Sequence, residues 1–104
     1  MKAREFLGYL EKNINIEEKQ HGFAILEAIE SVNNKEKKNK FYEGVKGKTI
    51  RKKVQEELGM NYKENYFERV FEILTGYKVI VTRDKDKDKP RIDNRHYNVG
   101  SHYH

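Results

Sequence analysis

The sequence predicts an α+β fold, in which N-terminal helices lead into two helices joined by a tight turn and then into a C-terminal β-hairpin. Three observations predict it. Residues 50–58 and 62–74 each carry a helical stripe of apolar side chains, and Gly59 lies between them. The runs YKVIVTR (77–83) and RIDNRHYNV (91–99) are rich in β-branched and aromatic residues and flank the charged segment DKDKDKP. Upstream, Gly22, Ile25, Leu26, Ala28, Ile29 and Val32 repeat at helical spacing.

The elements follow in order. A first helix is expected over 2–12, with Ala3, Phe6, Leu7, Tyr9 and Leu10 on one side and Arg4, Glu5 and Lys12 opposite. Gly8 weakens it, and Asn13-Ile14-Asn15 breaks it. A second helix runs over 16–32, capped by Asn15, with Glu17 and Glu18 in the first turn where the helix dipole favours acids. Residues 31–40 (SVNNKEKKNK) lose the apolar period after Val32 and read as a solvated loop or a frayed helix end. Phe41 to Val45 reads equally as a short strand or a helical turn. Thr49 is the expected cap of a helix over 50–58, where Ile50, Val54 and Leu58 make a narrow buried stripe. Gly59 then supplies a left-handed stop. Asn61 is the expected cap of the helix over 62–74. Tyr66, Phe67, Val70, Phe71, Ile73 and Leu74 fill one half of its wheel, and Glu64, Asn65, Glu68, Arg69 and Glu72 fill the other. The core is expected from Ile25, Ile29, Ile50, Val54, Leu58, Phe67, Val70, Phe71 and Leu74. In 77–83, Tyr77, Val79 and Val81 alternate with Lys78, Ile80 and Thr82. Asp84–Pro90 is expected as a solvated, dispensable loop, and residues 100–104 as a loose tail.

At 104 residues the chain has room for one domain. Charged residues make up 38% and hydrophobic ones 36%, which suits a thin core with charged edges. Without cysteine there is no disulfide scaffold, thiolate metal site or cysteine nucleophile. No apolar run is long enough for a membrane span, and the first residues lack a signal-peptide core, so the expectation is a soluble cytoplasmic protein with no membrane partner. Lys, Asn, Ile and Tyr are abundant in the pattern of an AT-rich genome.

The net charge of +5 is segregated. Residues 35–53 hold nine basic and two acidic groups, and residues 54–76 hold two basic and five acidic. Residues 77–104 are basic again, with seven against four. Clustered cations neutralise phosphates and release counterions, which gives affinity independent of sequence.

In element order, residues 49–99, preceded by the helix at 16–33, resemble a winged helix-turn-helix. The resemblance covers about two thirds of the chain and rests on order and spacing. Gln55 departs from it, because the pattern has a small residue four positions before the turn glycine. The resemblance implies that the helix over 62–74 is the recognition helix and that 84–90 is the wing. Both features address duplex nucleic acid, though domains of this kind also bind proteins.

Other motifs carry less. The D-x-D-x-D spacing of Asp84, Asp86 and Asp88 resembles a calcium loop, but Lys89 stands where the glycine belongs and Arg95 where the closing glutamate belongs. His96, His102 and His104 are close in sequence, with nothing to fix their geometry as metal ligands. No hydrolytic motif or phosphate-binding glycine loop occurs, so the chain reads as a non-enzyme without cofactor or metal.

Two functions are expected from these features. One is a small DNA-binding regulator or accessory factor of a bacterium, archaeon or phage, acting as monomer or homodimer. It would contact phosphates through Lys46, Lys48, Arg51, Lys52 and Lys53, and through the wing residues Lys85, Lys87 and Arg91. The other is a protein-interaction module, such as a virus-encoded inhibitor of the anti-CRISPR kind. In it Glu64, Glu68 and Glu72 imitate nucleic-acid charge or dock on a basic groove. The acidic stripe divides the two, since three glutamates pushed into a major groove would face phosphates and base edges.

Overall fold

The computed structural model describes residues 1–10 and 13–104. The expected reach of the first helix through Lys12 lies outside them. Helix α1 (Ala3–Tyr9) buries Ala3 and Leu7, and Leu10 follows it into the core. Tyr9, expected on that side, is 72% exposed, because two positions after Leu7 is roughly 200° round the helix. Helix α2 (Ile16–Glu36) runs past Val32 for one more turn. It opens on a capping box: Asn15 Oδ1 accepts from the Glu18 N–H at 2.8 Å, and Glu18 Oε1 accepts from the Asn15 N–H at 3.1 Å.

Strand β1 is Val45–Lys46 alone. At Gly44, φ is +109°, and a Cβ would strike the Tyr97 carbonyl, so only glycine fits. Helix α3 (Gly47–Leu58) starts earlier than expected, and Thr49 lies in its first turn instead of capping it. Long-range contacts decide this start. The Gly47 N–H donates to the Arg95 carbonyl at 2.8 Å, and the Gly47 Cα lies so close to the Ile92 carbonyl that no side chain fits.

Gly59 has the expected positive φ, and residues 59–61 form a 3-10 turn. Asn61 lies in that turn and caps nothing; helix α4 (Glu64–Gly76) begins later than expected. A buried histidine holds its start. His21 Nδ1–H donates to the Glu17 carbonyl at 2.7 Å, and Nε2 accepts from the Lys63 N–H at 2.9 Å. The Nε2 bond to an N–H donor requires the neutral Nδ1–H tautomer.

Strands β2 (Ile80–Thr82) and β3 (His96–Val99) pair antiparallel, with Ile80 opposite Val99 and Thr82 opposite Tyr97. Strand β1 adds on the far side of β3, giving the order β1-β3-β2. Strand β2 is shorter than the run 77–83: Tyr77 is exposed, Lys78 takes a left-handed φ of +60°, and the side chains of Val79 and Ile80 both turn inward. The expected core assembles between α2, α3, α4 and the sheet, with Leu58 half-buried at its edge. Phe67, Phe71 and Tyr97 stack through it, at ring separations of 5.4 and 4.7 Å.

Two expectations about the C-terminal half are corrected. Asp84–Pro90 is not a fully solvated loop: Asp86 is 0% exposed, and a 3-10 turn spans Asp84–Asp86. A buried carboxylate must be paired, and its partners pull the loop onto the sheet. Residues 101–103 form another 3-10 turn instead of a loose tail. The Gly100 N–H donates to the Val79 carbonyl, and the Tyr103 ring meets Phe6 edge-on at 5.8 Å. Among the described residues no helix is long and apolar enough to cross a membrane.

Phe71 is enclosed on all sides, so Phe71→Ala leaves a cavity as well as losing apolar burial. A loss of about 3–5 kcal/mol is expected in urea unfolding. A loss below about 1 kcal/mol would mean that the ring is not enclosed.

Candidate nucleic-acid interface

The basic segment splits into two groups on folding. Lys35, Lys37, Lys38, Lys40, Lys46, Lys48 and Lys52 are exposed, and among the described residues none of these seven has an ion-pair partner. Lys35 lies in the last turn of α2, and Lys37, Lys38 and Lys40 follow in the connection to β1. That connection and Lys46 border one groove of about 340 Å³, whose lining includes Phe41, Tyr42, Thr49 and His96. Lys48 and Lys52 continue from it along α3, one turn apart.

Arg51, expected beside them as a phosphate contact, faces the other way. Its side chain is 17% exposed. The guanidinium carbon lies 4.7 Å from the centre of the Phe67 ring, Nε donates to Asp93 at 2.9 Å, and Glu64 pairs with Nη1. Burial pushes its pKa down, but its hydrogen bonds to Asp93 and Tyr62 outweigh burial and hold the guanidinium above its ordinary value. In this fold the Arg51 guanidinium is already engaged by Phe67, Asp93 and Glu64. Lys53 is half-buried in a cleft with Glu27, Glu56 and Glu57.

The wing cations are similarly engaged. Lys85 pairs with Glu43 at 3.4 Å and Lys87 with Asp84 at 3.1 Å. Asp86 holds Arg83 Nε at 2.8 Å and Lys89 Nζ at 2.9 Å, and accepts the His96 backbone N–H at 2.7 Å. The His96 ring lies on the same carboxylate, with Nδ1 at 3.1 Å. Burial raises the Asp86 pKa, but the bonds from Lys89, Arg83 and His96 together hold it well below the usual carboxylate range. Arg95 fastens the loop further through the Lys87 and Lys89 carbonyls.

Arg91 is exposed and belongs to a second, acidic groove. That groove has a volume of about 570 Å³ and lies between α4 and residues 90–93, with Glu64, Glu68 and Glu72 along one wall. The eight expected phosphate contacts therefore do not form one surface. Of the eight, Lys46 borders the first groove and Lys48 and Lys52 follow it on α3, while Lys37, Lys38 and Lys40 belong to the connection that lines part of that groove. Among the described residues no three His, Asp or Glu side chains come together as metal ligands.

His21, Glu18 and Asp86 were missed as organising residues in the sequence. Glu18 left a signal, the Asn-x-x-Glu spacing of a capping box. Its buried carboxylate also meets Arg69 Nε at 3.1 Å. Glu17 lies one turn from His21, and Arg83 and Lys89 lie three residues either side of Asp86. The contacts that reach across the fold, His21 to Lys63 and Asp86 to His96, span 42 and 10 residues, and no local spacing announces them.

No protein-family model, curated protein or solved structure matches the chain.

The depressed pKa of Asp86 sets an acid limb. Its stabilisation is present above the unfolded carboxyl value of about 3.9 and is lost as pH falls through it toward the folded value. Asp86→Asn is expected to lower the thermal midpoint at neutral pH and to flatten the loss of stability below about pH 5. An unchanged acid limb would assign that loss to other carboxylates. Arg51→Ala is expected to cost roughly 1–3 kcal/mol through the lost pairs and ring contact, read by the same thermal melts.

Proposed function

We propose that the chain is a winged helix-turn-helix that holds duplex DNA by its phosphates, as a regulator or accessory factor. The fold reading is supported by the order α2–β1–α3–α4–β2–β3 and by β1 closing the sheet beside β3. The functional reading is carried by one observation: seven exposed lysines between residues 35 and 52 have no carboxylate partner among the described residues, while the wing lysines Lys85, Lys87 and Lys89 are ion-paired. Cations without carboxylate partners release counterions from a duplex on binding; paired ones do so poorly. On this reading α4 does not enter the major groove. Contacts of this kind fix position on the duplex without reading sequence.

A second reading has its own observation. Glu68 and Glu72 are exposed on α4, without ion-pair partners among the described residues, and wall a groove. A basic protein partner would fit there, as in a virus-encoded inhibitor.

Titration of a random duplex against salt tests the two. Affinity is expected to fall steeply with salt, and Lys46→Ala/Lys48→Ala/Lys52→Ala to weaken binding and flatten the log–log slope by about two to three units. Lys85→Ala/Lys87→Ala should stay within about twofold of the parent, because each of these cations already has a carboxylate beside it and removing it leaves that charge pattern nearly balanced. Glu68→Gln/Glu72→Gln should leave duplex affinity unchanged or raise it. Absence of duplex binding even at low salt would overturn the DNA reading and leave the acidic groove as the functional surface.

A further inference from the structure

The connection between α2 and β1 exposes a phenylalanine that no core contact uses. Phe41 is 88% exposed, the most exposed aromatic side chain among the described residues. Hydrogen bonds fix the backbone that presents it. The Asn39 N–H donates to the Glu36 carbonyl at 2.8 Å, and Asn39 Oδ1 accepts the Phe41 N–H at 3.0 Å. Asn39 Nδ2 donates to the Glu36 carboxylate at 3.0 Å. One residue on, Tyr42 turns inward and its hydroxyl donates to Asn33 Oδ1. Burial, and then the nearby Glu36 charge, raise the Tyr42 pKa, so that hydroxyl keeps its proton. The turn thus anchors one ring and holds its neighbour in water.

The surroundings of Phe41 select a partner. Lys38 and Lys40 precede it in sequence, and Lys46 borders the same groove. Of the acids lining that groove, Glu43 is paired with Arg83 and Lys85, and Glu36 accepts from Asn39. An exposed ring preceded by the unpaired Lys38 and Lys40, in a groove bordered by Lys46, fits a polyanion that carries flat rings. Bases inside a duplex are already stacked, so a free π-face must come from an unpaired nucleotide.

We propose that Phe41 is a stacking platform for an unpaired base, so that the groove between the α2–β1 connection and α3 takes single-stranded DNA contiguous with the duplex on the lysine face. This deepens the DNA-binding reading and rests on it. The ligand class becomes a duplex end, fork or gap instead of an uninterrupted duplex. The base would lie on the Phe41 ring while its flanking phosphates meet Lys40 and Lys46.

The chain has no tryptophan, so Phe41→Trp creates a single reporter that can be excited apart from the tyrosines. Three probes are compared at low salt: short oligothymidine, a blunt duplex, and the same duplex with a single-stranded overhang. Oligothymidine and the overhang duplex are expected to quench the Trp emission, and the blunt duplex to leave it largely unchanged. Phe41→Ala should weaken oligothymidine binding about fivefold or more and leave blunt-duplex affinity within about twofold. Phe41→Leu keeps an apolar side chain without a π-face and should behave as Phe41→Ala. If Phe41→Leu binds oligothymidine as the parent does, the contact is apolar and stacking is overturned. No quenching, with equal affinities of parent and Phe41→Ala for all three probes, overturns the platform but leaves the duplex reading standing. A parent that binds none of the probes overturns both readings and redirects Phe41 to a protein partner.

Discussion

Arg51 is the joint on which the C-terminal half of the molecule is built. One guanidinium lies on the Phe67 ring of α4, pairs with Glu64 at the start of that helix, and reaches Asp93 in the 3-10 turn over Ile92–Asn94. Its own backbone belongs to α3, so a single side chain ties α3, α4 and the segment entering β3. The geometry suits arginine and not lysine, because a planar cation can lie on a ring face while its edge nitrogens reach two carboxylates. A largely buried cation is costly if any partner leaves, so each of these contacts matters to how α3 and α4 meet.

Asp86 organises the loop over 84–90 in the same manner. A carboxylate without exposure collects two cations and a backbone N–H from the base of β3, so the loop closes on a charge instead of a hydrophobic cluster. The outer acids of the D-x-D-x-D run, Asp84 and Asp88, stay in water. An acidic repeat in which only the middle member turns inward does not converge on a cation; it pins a turn. Residues 83–95 therefore direct much of their positive charge at their own carboxylates and carbonyls. The seven exposed lysines between 35 and 52 have no such partners among the described residues, so much of the unneutralised positive charge of the chain lies in that segment.

Helical periodicity carried most of the fold into view. The apolar stripes of α2, α3 and α4 are buried as their spacing implies, and the ends of the two C-terminal runs pair antiparallel over 80–82 and 97–99. Residues 91–95, expected to extend the second strand, turn instead through Ile92–Asn94. The misplaced features are those set by groups distant in the chain. Thr49 and Asn61 are good caps by residue type, yet α3 starts where Gly47 meets the Arg95 carbonyl, and α4 starts where His21 takes the Lys63 N–H. In each case a tertiary hydrogen bond outweighed a local preference of about 1 kcal/mol. The candidate interface was less legible than the fold. Arg51 sits among Lys48, Lys52 and Lys53 in sequence, and nothing in that run reveals that its neighbours on α3 look outward while it looks in. Lysine count gave the sign of the surface; only the pairing of each charge gave its location.

The acidic stripe on α4 gains a sense from the same segregation. On the proposed reading, a duplex approaching α4 meets Glu68 and Glu72 unpaired, and like charge repels it over a screening length of about 8 Å at physiological ionic strength. The same duplex approaching the lysines is attracted. Opposed fields on one small domain act as a steering device, favouring one docking orientation before any short-range contact forms. A recognition helix of this charge would then serve by exclusion: it keeps the duplex on the face where Lys46, Lys48 and Lys52 lie, beside the groove that presents Phe41.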